Sequence, residues 1–276
     1  QLILGSTSIA LNSSSTTNVT FNSVAYTITV TRGIATTAVA LTRQSGATFS
    51  RSQAEALFDA LKYNNTSDTP TQASRVFGIT LTDQYNATSE SVSKTFTVAA
   101  SNDAPVLTDT LLTMNAVSEK AATPSGSGLG DLVSNFLGGI SDTDASAVKG
   151  MAITALNTSL GELWYTIDAG TTWTQVGSVS DSSALLLANT NQTRLYFKPS
   201  DSGTINDAFT FKAWDTTSGT AGTKTNTTAG TPTQLSAFSS ATDTVAVTVV
   251  PFNDPPTLTA INTLSGTTED SSYVIS

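Results

Sequence analysis

Apolar and polar residues alternate along much of this chain, which is the pattern of β-strands with one buried face. The clearest runs are residues 26–30, 76–81 and 245–249, which are rich in β-branched side chains and flanked by Ser, Asn, Gly and Pro. Residues 164–167 and 173–176 form a further pair, and the short segment between them favours a β-hairpin. The pattern therefore predicts an all-β fold with mainly antiparallel strands.

Two segments depart from this alternation and indicate short helical turns. Between residues 52 and 61 the apolar positions follow helical spacing, and Ser50 or Ser52 stands where an N-cap is expected. The apolar positions concerned are Ala54, Leu57, Phe58 and Leu61. A shorter helical segment is expected at residues 132–137.

The composition excludes several kinds of catalytic and metal-binding chemistry. Of 276 residues, 51 are Thr and 36 are Ser, only 12% are charged, and there is neither Cys nor His. Disulfides, thiol nucleophiles, thiolate metal sites and imidazole bases are thereby excluded. A Ser or Thr nucleophile would have no His partner, so we do not expect an enzyme.

The charge balance points toward cations as partners. The formal net charge is −9, which disfavours nucleic-acid binding, and Asp outnumbers Glu by 16 to 5. Short carboxylates suit turns and the coordination of hard cations such as Ca²⁺. The sequence has no apolar run long enough for a membrane span and no signal-peptide pattern at its start, so we expect a soluble segment of something larger.

A short motif occurs twice. Residues 102–108 read Asn-Asp-Ala-Pro-Val-Leu-Thr, and residues 253–259 read Asn-Asp-Pro-Pro-Thr-Leu-Thr. Glu119 follows Asp103 by 16 residues, and Glu269 follows Asp254 by 15. Self-similarity of this kind indicates repeated modules.

A second landmark precedes each copy of that motif. Ser67-Asp68 comes before an alternating run that ends at Asp83, and Ser200-Asp201 comes before one that ends at Asp215. The acid pairs are 15 and 14 residues apart.

Prolines just after each Asn-Asp pair favour module boundaries there. We expect one β-sandwich module at residues 1–103, a second at 104–254, and the start of a third, incomplete module at 255–276. Gly, Ser and Thr dominate residues 216–233, which predicts a longer loop in the second module.

Four features together resemble bacterial cadherin-like tandem repeats: the Asn-Asp-x-Pro junctions, the Glu after each junction, the Asp142-Thr143-Asp144 pair and the Asp at the end of an alternating strand. Such repeats are extender modules of large calcium-dependent surface adhesins of the RTX and VCBS type. The resemblance implies tandem Greek-key β-sandwiches, related to cadherin and immunoglobulin folds, with Ca²⁺ between consecutive modules.

The resemblance also implies the ligands at each junction. At the first they are Asp68, Asn102, Asp103, Asp142, Asp144 and Asp215. At the second they are Glu119, Asp201 (or Asp207), Asn253 and Asp254. Ala100 and Val250 stand where the family linker carries acids, so we expect fewer or more weakly bound ions.

Simpler interpretations stand beside these. Asp142–Asp144 can be a polar turn, Asp83 and Asp215 can be turn residues, and Glu119 and Glu269 can be surface acids. A separate group of acids is expected to be solvated: Asp168, Asp181, Asp243 and Asp270. A last group is expected to lie in the sandwich core rather than to form a carbohydrate platform: Trp164, Trp173 and Trp214.

The leading functional expectation is an extracellular, cell-surface repeat region with a structural and adhesive role, stiffened by calcium at its junctions. Its partners would be neighbouring modules of the same chain and, through sheet edges, like subunits. The alternative is a subunit of a self-assembling layer, sheath or filament with strand exchange between neighbours. A glycan-gripping tip domain is a third class.

Overall fold

The computed structural model describes residues 1–83, 85–144, 147–228, 236–258 and 269–270 of the chain, in which the regular structure is mainly β-strand with one α-helix. They divide into two compact units. The first comprises Gln1–Ala104 and the described residues of Asp142–Ala147 and Thr231–Ser236; the rest belongs to the second. The module limits at residues 103 and 254 stay predictions, and most of the proposed third module lies outside the described residues.

The first unit contains eight strands and a helix. In chain order they are β1 (Leu2–Leu4), β2 (Thr7–Ile9), β3 (Ser15–Phe21), β4 (Val24–Arg32), β5 (Thr37–Arg43), α1 (Arg51–Ala60), β6 (Leu61–Tyr63), β7 (Arg75–Ile79) and β8 (Val92–Phe96). They form antiparallel sheets β2-β1-β6, β3-β4-β5 and β7-β8. The strands predicted at residues 26–30 and 76–81 correspond to β4 and β7.

The core of the first unit follows the alternation seen in the sequence. Tyr26, Ile28 and Val30 of β4 are buried, while the intervening threonines are half-buried on its other face. Leu57 of α1 packs against them together with β1. Burying one such aliphatic side chain contributes about 1.5–3 kcal/mol to folding.

The helix α1 begins where the sequence indicates. Ser50 is its N-cap, with its hydroxyl accepting from the N–H of Gln53 while the Gln53 side chain accepts from the N–H of Ser50. This reciprocal capping box satisfies two backbone donors that the first helical turn leaves without partners.

The second unit contains thirteen strands and a short 3₁₀ helix. They are β9 (Val106–Leu107), β10 (Leu112–Thr113), β11 (Val117–Ser118), β12 (Asp131–Leu132), the 3₁₀ helix (Val133–Phe136), β13 (Ile140–Ser141), β14 (Gly150–Leu156), β15 (Gly161–Thr166), β16 (Thr174–Gln175), β17 (Ala184–Ala188), β18 (Arg194–Pro199), β19 (Gly203–Trp214), β20 (Lys224–Thr225) and β21 (Phe238–Val250).

Two sheets of the second unit enclose one core, which makes it a β-sandwich. The larger runs β10-β21-β19-β14-β17-β20, with β11 also pairing with β21, and the smaller runs β12-β18-β15-β16. Phe209 and Phe211 of β19 meet Leu163 of β15 and Phe197 of β18 in this core. The predicted hairpin is β15 with β16, and the predicted helical segment at 132–137 is the 3₁₀ helix.

The tryptophans do not all lie where the sequence predicted. Trp214 is 2% exposed, but it packs with Leu186 and Ala152 on the outer face of the larger sheet rather than in the sandwich core. The expected loop at 216–233 runs over this face as far as it is described, and its Gly219 lies against Leu186. Trp164 and Trp173 are only half-buried, so the core prediction was wrong for these two, whereas Trp214 is buried in this second apolar cluster.

Candidate functional site

The Asn-Asp pair at 102–103 meets the Asp-Thr-Asp turn at 142–144 within the first unit. The backbone N–H of Asp103 donates to Oδ2 of Asp144 at 2.8 Å. The hydroxyl of Thr143 in turn lies 3.4 Å from Oδ2 of Asp103. Residues about 40 positions apart in sequence thus share one hydrogen-bonded cluster, which we call the 103–144 cluster: Asn102, Asp103, Asp142, Thr143 and Asp144.

Local turn chemistry shapes both halves of this cluster. Oδ1 of Asp142 accepts from the N–H of Asp144 at 2.9 Å, which is the turn that Asp forms with the backbone two residues on. The Asn102 amide donates to the carbonyl of Asp103 at 3.2 Å and to that of Ser236 at 3.3 Å. The half-buried carboxylates of Asp142 and Asp144 thus accept from backbone N–H groups, and that of Asp103 is approached by the Thr143 hydroxyl.

Positive side chains do not neutralise the cluster's hydrogen-bonded pair. The described residues contain four ion pairs, and none includes Asp103 or Asp144. Asp103 and Asp144 thus carry negative charge that no described basic side chain compensates through an ion pair, and a cation would stabilise such charge.

The donor set fits calcium only in part. Among the described residues, no three or more acidic side chains come together in a group that could hold a metal ion. Calcium also accepts amide and backbone carbonyl oxygens and takes six to eight in all. Asp103, Asp142 and Asp144 would therefore have to be joined by such donors, with Asn102 nearest in sequence.

Two further acids were predicted for the first junction, Asp68 and Asp215. Asp68 is exposed in the segment between β6 and β7. Asp215 belongs to the second unit, where it is 3% exposed. Its Oδ1 accepts from the N–H and the hydroxyl of Thr217, at 2.8 and 2.6 Å.

Only some of the residues predicted for the second junction lie near one another in the structure. The N–H of Glu119 donates to the carbonyl of Val250 at 3.0 Å, next to the parallel pairing of β11 with β21. Lys120 Nζ lies 2.9 Å from Oδ2 of Asp254, and this hydrogen bond raises the pKa of Lys120. Asp254 therefore pairs with a lysine, and Asn253 is exposed.

The other acids of that prediction form local hydrogen bonds. Asp201 is exposed and accepts from the N–H of Ser202 at 2.7 Å. Its alternative, Asp207, accepts from the Asn157 amide at 2.8 Å.

Asp243 is buried rather than solvated as the sequence predicted. It is 2% exposed, and its Oδ2 accepts from the N–H and the hydroxyl of Thr110 at 3.2 and 3.0 Å. Asp243 lies on the same face of β21 as the buried Val245 and Val247, and the segment carrying Thr110 supplies its hydrogen bonds there. Asp243 thus anchors that segment.

Asp168 organises the turn between β15 and β16. Its carboxylate accepts from both the N–H and the hydroxyl of Thr172 and from the hydroxyl of Thr166. These bonds, chiefly those from Thr172, lower the pKa of Asp168 to about 2. Gly170 within the turn has φ +95°, and a Cβ there would lie 2.3 Å from the carbonyl oxygen of Gly126. The Thr-x-Asp-x-Gly-x-Thr-Trp spacing was the available signal.

Comparison with family models, with curated proteins and with solved structures finds no match for this chain. Within the described ranges, no helix has the length and apolar character that crossing a membrane requires.

Proposed function

We propose that this chain is a structural and adhesive repeat region of a large bacterial surface protein and that it binds calcium at the 103–144 cluster. The observation that carries the proposal is the hydrogen bond from the N–H of Asp103 to the carboxylate of Asp144. It brings the Asn-Asp motif and the Asp-Thr-Asp motif, which together resemble the calcium sites of cadherin-like repeats, into one cluster.

Calcium would act here through charge. Calcium would draw the carboxylates of Asp103, Asp142 and Asp144 toward one ion, whereas like charges brought together without a cation repel. Bound calcium would therefore restrain the Asn-Asp segment and stiffen the junction that follows residue 103. With few acids in the cluster, we expect a dissociation constant of about 10⁻⁴–10⁻³ M.

The β-rich architecture is compatible with this role. The second unit has one core between two sheets, and the first has its own apolar core built from different residues. Units of this kind can repeat along an extended chain, since each buries its own apolar surface. The high content of Thr and Ser suits exposed sheet faces, and the net charge of −9 favours solubility.

The test is calorimetric titration of the whole chain with calcium, repeated on Asp103→Ala and Asp144→Ala. Both variants should lose heat of binding or bind at least about tenfold more weakly. Asp59→Ala is the matched control, since it removes an exposed carboxylate on α1. Uptake of calcium by both cluster variants at the parent's affinity would contradict the proposed site.

A further inference from the structure

The outer face of the smaller sheet in the second unit carries a row of large side chains. The register places Trp164 of β15 directly opposite Tyr196 of β18 on one side and Gln175 of β16 on the other. Side chains directly opposite across a strand pair lie about 4.5–5.5 Å apart at Cβ and touch. Leu163, Leu195 and Phe197, their neighbours in sequence, point into the core. The row therefore faces outward.

A third ring extends this row. Trp173 meets Tyr196 edge to face, with ring centroids 6.0 Å apart and planes inclined by 66°. All three aromatic residues are half-buried. We call this set the aromatic row: Trp164, Trp173 and Tyr196.

Polar contacts hold two of the three rings in place. Trp173 Nε1 donates to the carbonyl of Gly126 at 3.1 Å, and the Tyr196 hydroxyl donates to that of Ala122 at 3.2 Å. The segment carrying these carbonyls thus bounds the row at one end. Rings fixed in this way lose little conformational freedom when a ligand binds.

Trp164 lies beside polar side chains that can still form hydrogen bonds with a ligand. Its Nε1 lies 3.4 Å from Oε2 of Glu162, a long contact, and Lys198 Nζ lies 3.6 Å from the same oxygen. The side chains of Glu162 and Lys198 remain 43% and 35% exposed. Gln175 completes the rim and is exposed.

We propose that the aromatic row is a binding site for a neutral oligosaccharide. A sugar ring presents one apolar face of C–H groups and a periphery of hydroxyls. Aromatic rings can pack against the C–H face. The peripheral hydroxyls can form hydrogen bonds with the Glu162 carboxylate, the Lys198 ammonium and the Gln175 amide. A few placed polar groups around aromatic side chains are the usual composition of small-ligand sites.

Charge on this face selects a neutral ligand. Glu162 and Lys198 compensate each other, so the open rim attracts neither anions nor cations strongly. An acidic glycan would also be repelled by a chain of net charge −9. The proposal uses no residue of the 103–144 cluster and goes beyond the calcium-binding role.

The test uses the whole chain on an array of neutral, sialylated and sulfated oligosaccharides, followed by calorimetry with the best free neutral oligosaccharide. Trp164→Ala should weaken binding at least about tenfold, and Gln175→Ala should weaken it by about threefold to tenfold. Leu111→Ala, which truncates a fully exposed leucine of the same unit, should bind as the parent does. Thermal unfolding of each variant shows whether the fold is kept.

Each result decides the matter. Binding of a neutral oligosaccharide that Trp164→Ala abolishes, with Leu111→Ala unchanged, supports the site. Absence of binding to any neutral oligosaccharide, binding only to acidic ones, or full affinity in both Trp164→Ala and Gln175→Ala overturns it. The titration is repeated in a calcium chelator, where binding should persist, so that failure of this proposal and failure of the calcium proposal are distinguishable.

Discussion

The backbone N–H of Asp103 donates to Oδ2 of Asp144 at 2.8 Å, across 41 residues of sequence. The acceptor in this bond is an oxygen that an amide side chain would also provide. The negative charge on Asp144 and its role as an acceptor can therefore be separated by substitution.

Asp144→Asn should keep most of the stability of the parent while weakening calcium binding about tenfold or more. The amide oxygen can still accept from Asp103, but the site loses one negative charge, and calcium affinity depends on ligand charge. Asp144→Ala should lose both the acceptor and the charge. Urea unfolding measures the first effect and calcium calorimetry the second; calcium binding by Asp144→Asn at the parent's affinity would contradict the assignment.

Asp243→Ala should destabilise the second unit by about 1–3 kcal/mol, because it removes an acceptor that serves two donors of Thr110 inside the protein. Thr110→Val, which removes only the hydroxyl donor, should cost less. Urea unfolding followed by tryptophan fluorescence checks both values. Asp59→Ala, on the exposed face of α1, should change stability by less than about 0.5 kcal/mol. An equally small effect of Asp243→Ala would show that the anchor contributes little.

The turn at Asp168 should make stability depend on acid pH. Its pKa is lowered to about 2 from an ordinary value of 3.8, so the folded state binds this proton less tightly than the unfolded state does. The stabilisation is therefore complete above about pH 4 and is lost as the pH falls toward 2. NMR titration of the carboxyl carbons measures the pKa, and Asp168→Asn should remove this part of the pH dependence.

Asp131 provides the contrast in the same titration. Burial, the largest cause, raises the pKa of its carboxyl above 3.8, although hydrogen bonding from Asn115 opposes the shift. The two carboxyls should therefore titrate on opposite sides of the ordinary value. Titration of Asp168 at or above 3.8 would contradict the hydrogen-bonded turn.

Leu57→Ala should unfold the first unit more easily without altering the second. Leu57 is 4% exposed in the core of the first unit, and truncating such a leucine costs about 2–5 kcal/mol. All three tryptophans lie in the second unit, so their fluorescence reports on that unit alone. Urea unfolding by circular dichroism should show an earlier transition, while the fluorescence transition should stay in place.

Phe211→Ala is the reciprocal variant, since its ring is fully buried in the sandwich core of the second unit. Its fluorescence transition should move to lower urea by an amount that corresponds to about 3–5 kcal/mol. If both variants shifted both transitions equally, the two cores would not be independent.

Much of the local structure was predictable from the sequence. The strand β4, the hairpin of β15 with β16 and the helix after Ser50 all rest on interactions within a few residues: alternation, a turn and a capping box. Each of these is encoded by neighbouring side chains, so pattern and structure agree.

The faces of the strands were less predictable. Alternation shows that Trp164 and Leu163 lie on opposite faces of β15, but it does not show which face meets the other sheet. Alternation places Asp243 on the same face of β21 as Val245 and Val247, but it does not show that Thr110, more than 130 residues away, supplies the hydrogen bonds of the buried carboxylate. These outcomes depend on partners that are distant in the chain.

The candidate site divides in the same way. The Asn-Asp and Asp-Thr-Asp motifs could be identified from their spacing, and the structure joins Asp103 to Asp144. The spacing could not show that the Asp215 carboxylate would accept hydrogen bonds from Thr217, or that Asp254 would form an ion pair with Lys120. Each carboxylate binds the hydrogen-bond donor or cation that lies beside it in the folded chain. The sequence alone does not show which group that is.

The sequence by itself determined that this protein is built from β-strands, that it is acidic, and that it has no thiol or imidazole chemistry. Composition and periodicity are properties of the chain, and no packing can alter them. Only the tertiary structure decided which acids are joined by hydrogen bonds and that an aromatic row lies on the outside of a sheet. Burial and contact depend on which distant segments meet, and that is decided by the packing of the whole fold.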